Sequence, residues 1–79
     1  MIRLTLFSRP ECHLCVTMLD ELVPLLGERA EVQVVDISTD ARLERELGLK
    51  IPVLRAGELE LSRYRLDAAR VERYLSEDA

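Results

Sequence analysis

Two cysteines, Cys12 and Cys15, stand two residues apart at the junction between a strand pattern and a helical pattern. Before them, Ile2-Arg3-Leu4-Thr5-Leu6-Phe7 reads as a β-strand. Behind them, Met18, Leu19, Leu22 and Leu26 recur at helical spacing. A Cys-x-x-Cys pair so placed puts one sulfur at a helix N-terminus, where unpaired backbone N–H groups and the macrodipole favour a thiolate. The thiolate is the species that attacks disulfides. Thiol–disulfide chemistry is therefore the first expectation for this chain.

The bulk properties narrow the alternatives. Seventy-nine residues make one small domain, expected to span 1–79, and such a chain buries only somewhat over ~60% of its unfolded surface. A bridge between Cys12 and Cys15 closes too short a loop to constrain the unfolded chain much, so a purely structural staple is a poor reading. Apolar content of 48% beside 33% charged residues reads as globular and soluble. The net charge is −4, both signs are interspersed, and Phe7, Tyr64 and Tyr74 are the only aromatic residues. That pattern gives no support to a nucleic-acid partner. The N-terminus lacks the pattern of a signal peptide, and no apolar stretch approaches the ~20 residues of a membrane span. The expectation is a cytoplasmic monomer without a membrane partner, where paired cysteines serve catalysis or metal binding.

The remaining pattern predicts a βαβαββα order. After β1 (residues 2–7), the loop Ser8-Arg9-Pro10-Glu11 leads into a helix from Cys12 to the mid-twenties, with Cys15 on its buried stripe. Pro24 should bend or end that helix, because it removes the hydrogen bond to Asp20, and Gly27 is a natural stop. Residues 31–37 are β-branched and strand-like. Asp40 reads as the N-cap of a short helix over 41–47, with Ser38 as a competitor and Gly48 as the C′ residue. A third strand begins at Ile51, Ala56-Gly57 turns, and residues 58–61 alternate as an edge strand. Asp67 caps a last helix through Leu75, and residues 76–79 are expected to fray. Helical connections between the first three strands favour parallel pairing with right-handed crossovers, and the last two strands form an antiparallel hairpin.

Cys12 is the candidate nucleophile, at the first turn and partly exposed. Cys15, one turn deeper, is the candidate resolving thiol, and the spacing keeps both sulfurs within disulfide reach. Other uses of the pair fare worse. Haem attachment needs histidine after the second cysteine, and that residue is Val16. Zinc takes about four ligands, whereas Cys12, His13 and Cys15 supply three at most. An iron–sulfur cluster wants four thiolates, so it needs a second chain or exogenous thiols. No metal site is expected.

His13, the single histidine, would as an imidazolium favour the Cys12 thiolate and make the disulfide more oxidising. The alternative is an exposed polar residue at a helix start. Arg9 adds positive potential near the motif and Glu11 opposes it, although either reads equally as a solvated surface charge. Ile51-Pro52 opens a strand expected beside the first. A cis bond there, which costs only ~0.5–1 kcal/mol, would put the Ile51 backbone beside the cysteines, ready to pair with an extended substrate. An ordinary trans proline opening a strand is the even alternative.

Phe7-Ser8-Arg9-Pro10-Glu11-Cys12-His13-Leu14-Cys15 resembles the active-site segment of glutaredoxins, within the thioredoxin-fold superfamily. Gly48-Leu49-Lys50-Ile51-Pro52-Val53-Leu54 resembles the segment that carries the family's cis-proline. The resemblance covers essentially the whole chain, without the extra N-terminal strand and helix of thioredoxins and without a tryptophan before Cys12. It implies an α/β thioredoxin-like fold with a four-stranded mixed sheet flanked by helices. It also implies a nucleophilic Cys12, a resolving Cys15, and a cis-Pro52 with Ile51 contacting substrate. In glutaredoxins glutathione touches a basic residue ahead of the motif, which Arg9 matches. Its γ-glutamyl end is held by a glycine pair and an acidic residue at the last helix, where Asp67 matches the acid. The glycines are absent here, Tyr64 and Arg65 stand in that region to narrow the pocket, and His-Leu replaces the usual Pro-Tyr between the cysteines.

Two functions follow as expectations. The first is a dithiol oxidoreductase in which Cys12 attacks a protein disulfide or a glutathione mixed disulfide and Cys15 resolves the intermediate. No cofactor is bound in that scheme, and glutathione is a possible co-substrate. The second is a non-enzymatic thioredoxin-fold binding module, or redox-switched adaptor, that docks partners at the Pro52 edge.

Overall fold

Alternation along the first strand, β1 (Ile2–Ser8), sorts its side chains between two cores, one on each face of the sheet. Ile2, Leu4 and Leu6 point to one face, and Phe7 points to the other. The structure is a computed structural model that describes residues 1–78. After β1 come α1 (His13–Leu26), β2 (Ala30–Asp36), a 3₁₀ turn (Ile37–Thr39), α2 (Ala41–Leu47), β3 (Val53–Ala56), β4 (Leu59–Arg63) and α3 (Ala68–Asp78). The strands form one mixed sheet in the order β2-β1-β3-β4. The expected α/β order and four-stranded mixed sheet are realised.

The larger core lies between the sheet and the pair α1 and α3. Leu4, Leu6 and Leu54 from the sheet meet Met18, Leu22 and Leu26 from α1 and Val71 and Leu75 from α3. Each such leucine contributes roughly 1.5–3 kcal/mol by leaving water. The smaller core lies on the opposite face, where Leu47 and Leu43 of α2 cover Phe7, Ile37, Ile51 and Val53.

One pairing departs from the sequence expectation. β1 and β2 are parallel, with Ile2 opposite Ala30, but β3 runs antiparallel to β1, with Phe7 opposite Val53. The return along the sheet is short. The seven residues of β2 advance about 23 Å, whereas the seven residues of α2 return only about 10 Å. Residues 48–52 turn back instead of extending to the far end of the sheet, so β3 starts near the end where β1 stops.

Smaller departures have local causes. The peptide unit at Pro24 has no N–H to give Asp20, yet α1 runs two residues past it to Leu26. Gly27 then ends the helix at φ +54°, its N–H donating to the Val23 carbonyl at 3.3 Å. Asp40 caps α2 by accepting from the Arg42 and Leu43 N–H groups, while Ser38 belongs to the 3₁₀ turn capped by Asp36. Strict alternation fails in β4. Leu54 pairs with Ser62 but Arg55 pairs with Glu60, so Leu61 is an extra residue and both Leu61 and Ser62 are buried. Ser76 and Glu77, expected to fray, are helical within α3, and Ala79 lies outside the described residues.

Asp36 ties the end of β2 to the turn that starts the return. Its Oδ1 accepts from the Ser38 N–H at 2.9 Å and from the Ser38 hydroxyl at 2.6 Å. These bonds hold its carboxyl below the ordinary value of 3.8. A depressed folded-state value means the stabilisation is fully present above the unfolded value and is lost as pH falls through the folded one. The thermal-midpoint deficit of Asp36→Ala relative to the parent should thus stay constant above about pH 4–5 and shrink under more acidic conditions. Melting curves across pH 2–7 check this, and a deficit that grows in acid contradicts it.

Candidate active site

The end of the sheet where β1 finishes and β3 starts gathers three segments. They are the loop after β1 with its two cysteines, the Leu49–Pro52 approach to β3, and the turn from β4 into α3.

Cys12 is the N-cap of α1, and the helix proper begins at His13. Its backbone is extended (φ −93°, ψ 104°), and its Sγ accepts from the Cys15 N–H at 3.2 Å. Its carbonyl accepts from the Val16 N–H, also at 3.2 Å. The first helical N–H groups have no preceding turn to donate to, so they and the macrodipole favour negative charge at this sulfur by about 0.3–1 kcal/mol, and up to ~2 when partly buried. Glu11, just before the cap, has φ +63°. That left-handed conformation costs a non-glycine residue roughly 1–2 kcal/mol and turns the chain from the loop into the helix.

Cys12 and Cys15 are joined by a disulfide, with their Cα atoms 5.2 Å apart. Cys12 is half-buried, whereas Cys15 is only 3% exposed on the inner stripe of α1. The outer sulfur is thus the one a second molecule can reach. His13 is exposed at the first helical position.

The Ile51–Pro52 peptide bond is cis. Pro52 is buried, and its carbonyl accepts from the Tyr64 N–H at 2.9 Å. Ile51 packs its side chain on the smaller core. Among the described residues its backbone N–H and C=O make no hydrogen bond.

Arg9 and Asp67 have partners within the protein. The Arg9 guanidinium pairs with Glu44 of α2 and donates to the Gly48 carbonyl at 3.4 Å. Gly48 has an ordinary right-handed backbone (φ −53°) rather than the left-handed form expected of a C′ glycine. Its lack of a side chain matters for space, because a Cβ would crowd the Glu44 carbonyl and the Arg9 guanidinium. Asp67 caps α3 by accepting from the Arg70 N–H at 3.0 Å, and its own N–H donates to the buried Ser62 hydroxyl at 2.9 Å.

Sequence reasoning set Tyr64 and Arg65 at a pocket but missed its α1 wall: a groove of about 200 Å³ starts at Leu14, between the cysteines. Thr17, Met18 and Glu21 of α1 form one side, and Tyr64, Arg65 and Leu66 form the other. Arg9, His13, Ile51, Pro52 and Asp67 do not line it. Leu14 and Glu21 lie one turn before and one turn after Met18 on the same flank of the buried stripe of α1, which is the signal that could have marked them.

The family model described as Glutaredoxin-like domain (DUF836) matches residues 3–76. The chain belongs to this glutaredoxin-like family. Among solved structures it is similar to the protein XcR50 from X. campestris, at 35% identity over 94% of this chain and 96% of that one, with a TM-score of 0.70 in the X-ray structure. The solution structure of XcR50 gives a TM-score of 0.65 at the same identity, covering 98% of this chain and 95% of that one. Thioredoxin 1 from Thermosipho africanus TCF52B is 18% identical over 98% of each chain with a TM-score of 0.64, a likeness of fold alone. No curated protein matches. The glutaredoxin-like fold and its cysteine pair together point to a redox role.

The Arg9–Glu44 pair gives a direct check on how the cysteine loop is braced in this glutaredoxin-like domain. Both side chains are 38% exposed, so each of Arg9→Met and Glu44→Gln should cost about 1 kcal/mol or less. A double-mutant cycle by chemical denaturation should show coupling, with the double variant losing less than the two single losses added. Fully additive losses would show that the two side chains do not act on each other.

Proposed function

We propose that this protein is a thiol–disulfide oxidoreductase acting through Cys12 and Cys15. The observation that carries the reading is the pairing of a half-buried N-cap cysteine with a buried partner one turn inward. In the reduced protein the Cys12 thiolate attacks one sulfur of a substrate disulfide. The substrate S–S bond breaks, its leaving sulfur takes up a proton, and a mixed disulfide remains on Cys12. Cys15 then gives up its proton and attacks the Cys12 Sγ. The mixed disulfide breaks, the second substrate sulfur departs as a thiol, and the Cys12–Cys15 disulfide forms. The substrate has gained two electrons and the protein has lost two. A thiol donor, either glutathione or a dithiol protein, returns the pair to its reduced state. This is the chemistry of a cytoplasmic compartment, where such disulfides are transient.

Two observations favour a protein disulfide over a glutathione mixed disulfide as substrate. Arg9, the basic residue suited to a glutathione carboxylate, is engaged by Glu44 and Gly48. The turn before α3 carries Tyr64 and Arg65 where the family's glutathione seat has glycines. The Ile51 backbone, by contrast, offers a donor and an acceptor to an extended chain in the manner of strand addition. His13, next to Cys12 in the sequence, is exposed at the start of α1.

The test is trapping. Cys15→Ser, incubated with a disulfide-bonded protein, should accumulate a mixed disulfide on Cys12, identified by mass spectrometry. Cys12→Ser should form none and lose turnover to background. A trapped adduct on neither cysteine, with no turnover in the parent protein, would overturn the oxidoreductase. A partner that binds only one redox form without being turned over would point instead to the redox-switched adaptor.

A further inference from the structure

Tyr64 has a conformation and a set of partners that its place in a surface turn does not require. Its φ is +68°, a region that a bulky aromatic residue adopts only at a cost. From there its backbone N–H donates to the Pro52 carbonyl at 2.9 Å, and its hydroxyl donates to the Leu49 carbonyl at 3.0 Å. One residue thus spans the segment from Leu49 to Pro52 and ties both of its ends. Packing holds the Pro52 and Ile51 side chains, but few other polar contacts hold the backbone ahead of them. The Lys50 N–H donates to the Leu47 carbonyl at 2.8 Å, the Leu49 side chain is 93% exposed, and the Ile51 backbone makes no hydrogen bond among the described residues.

We propose that Tyr64 is a positioning residue that clamps the Leu49–Pro52 segment, so that Ile51 presents its backbone pre-set for an extended polypeptide carrying the disulfide. This rests on the oxidoreductase reading and deepens it by naming the substrate class. A loose segment has to be ordered when a chain docks on it, and that ordering is subtracted from binding. The Tyr64 hydroxyl orders it beforehand. It makes no bond to either sulfur, so its loss belongs in substrate binding rather than in the exchange step. A small disulfide has no peptide backbone to place on Ile51 and gains nothing from the clamp.

The test compares Tyr64→Phe with the parent on two substrates, a short linear peptide closed by one disulfide and bis(2-hydroxyethyl) disulfide. Tyr64→Phe removes only the bond to Leu49 and keeps the ring and the backbone N–H. The KM for the peptide should rise about three- to tenfold, the range of one lost hydrogen bond. Its kcat, the KM for the small disulfide and the reduction potential of the cysteine pair should all stay the same. Tyr64→Gly, which accepts a positive φ without strain, should reproduce the rise. Equal effects on both substrates, or on neither, would overturn the proposal. Amide hydrogen exchange gives an arm that needs no turnover. The Lys50 and Tyr64 amides, which donate to the Leu47 and Pro52 carbonyls, should exchange faster in oxidised Tyr64→Phe than in the oxidised parent, and unchanged exchange also overturns the clamp. If the parent reduces neither substrate, the oxidoreductase reading fails on its own, while exchange still decides whether Tyr64 holds the segment.

Discussion

The antiparallel register of β3 against β1 is the constraint on which the site depends. Phe7 opposite Val53 sets the residue before β3 level with the loop after β1. One segment brings the cysteines and the other brings Pro52 with the Ile51 backbone. The register is held from both faces, by Leu6 and Leu54 in the larger core and by Phe7 and Val53 in the smaller. Removing any of these leucines leaves a cavity that costs roughly 2–5 kcal/mol, a large share of the ~5–15 kcal/mol that stabilises a domain. The site is thus assembled by the same packing that holds the sheet together.

Around that frame the weaker interactions decide how the site behaves. The N-terminus of α1 acts on Cys12 with an energy of about 1 kcal/mol, comparable to one net hydrogen bond. That is enough to tilt a thiol toward its thiolate but not to stabilise a fold. The Arg9–Glu44 pair belongs to the same scale. It braces the loop before the cysteines against α2 and leaves the guanidinium with partners inside the protein. Tyr64 performs the corresponding task on the other side, tying the approach to β3. Burial fixes where the segments lie, and single polar contacts fix how firmly they stand.

The parts legible in the sequence were those whose signals are local. The apolar run before Cys12, the stripe from Cys15 to Leu26, the Asp40 cap and the stop at Gly27 each arise within one or two turns, and they suffice for the order of elements and the place of the cysteine pair. The direction of β3 was not legible that way, because it depends on where residues 48–52 turn back after α2, and no local signal marks that turn. The partner of Arg9 lies 35 residues away, and nothing near Arg9 marks it. Tyr64 carries no mark of its left-handed turn, since that conformation is ordinarily written as glycine or asparagine. The bulge at Leu61 is hidden because the alternation it breaks is the signal by which a strand is read.

The reactivity of Cys12 is the most direct test of the central claim that the start of α1 makes it the working sulfur. The reduced protein would be alkylated with iodoacetamide across a range of pH, with the label assigned to each cysteine by mass spectrometry. Cys12 should react far faster than buried Cys15, with a midpoint below the value of about 8.5 for a free thiol. A midpoint at or above that of a free thiol, or equal rates at the two cysteines, would contradict it.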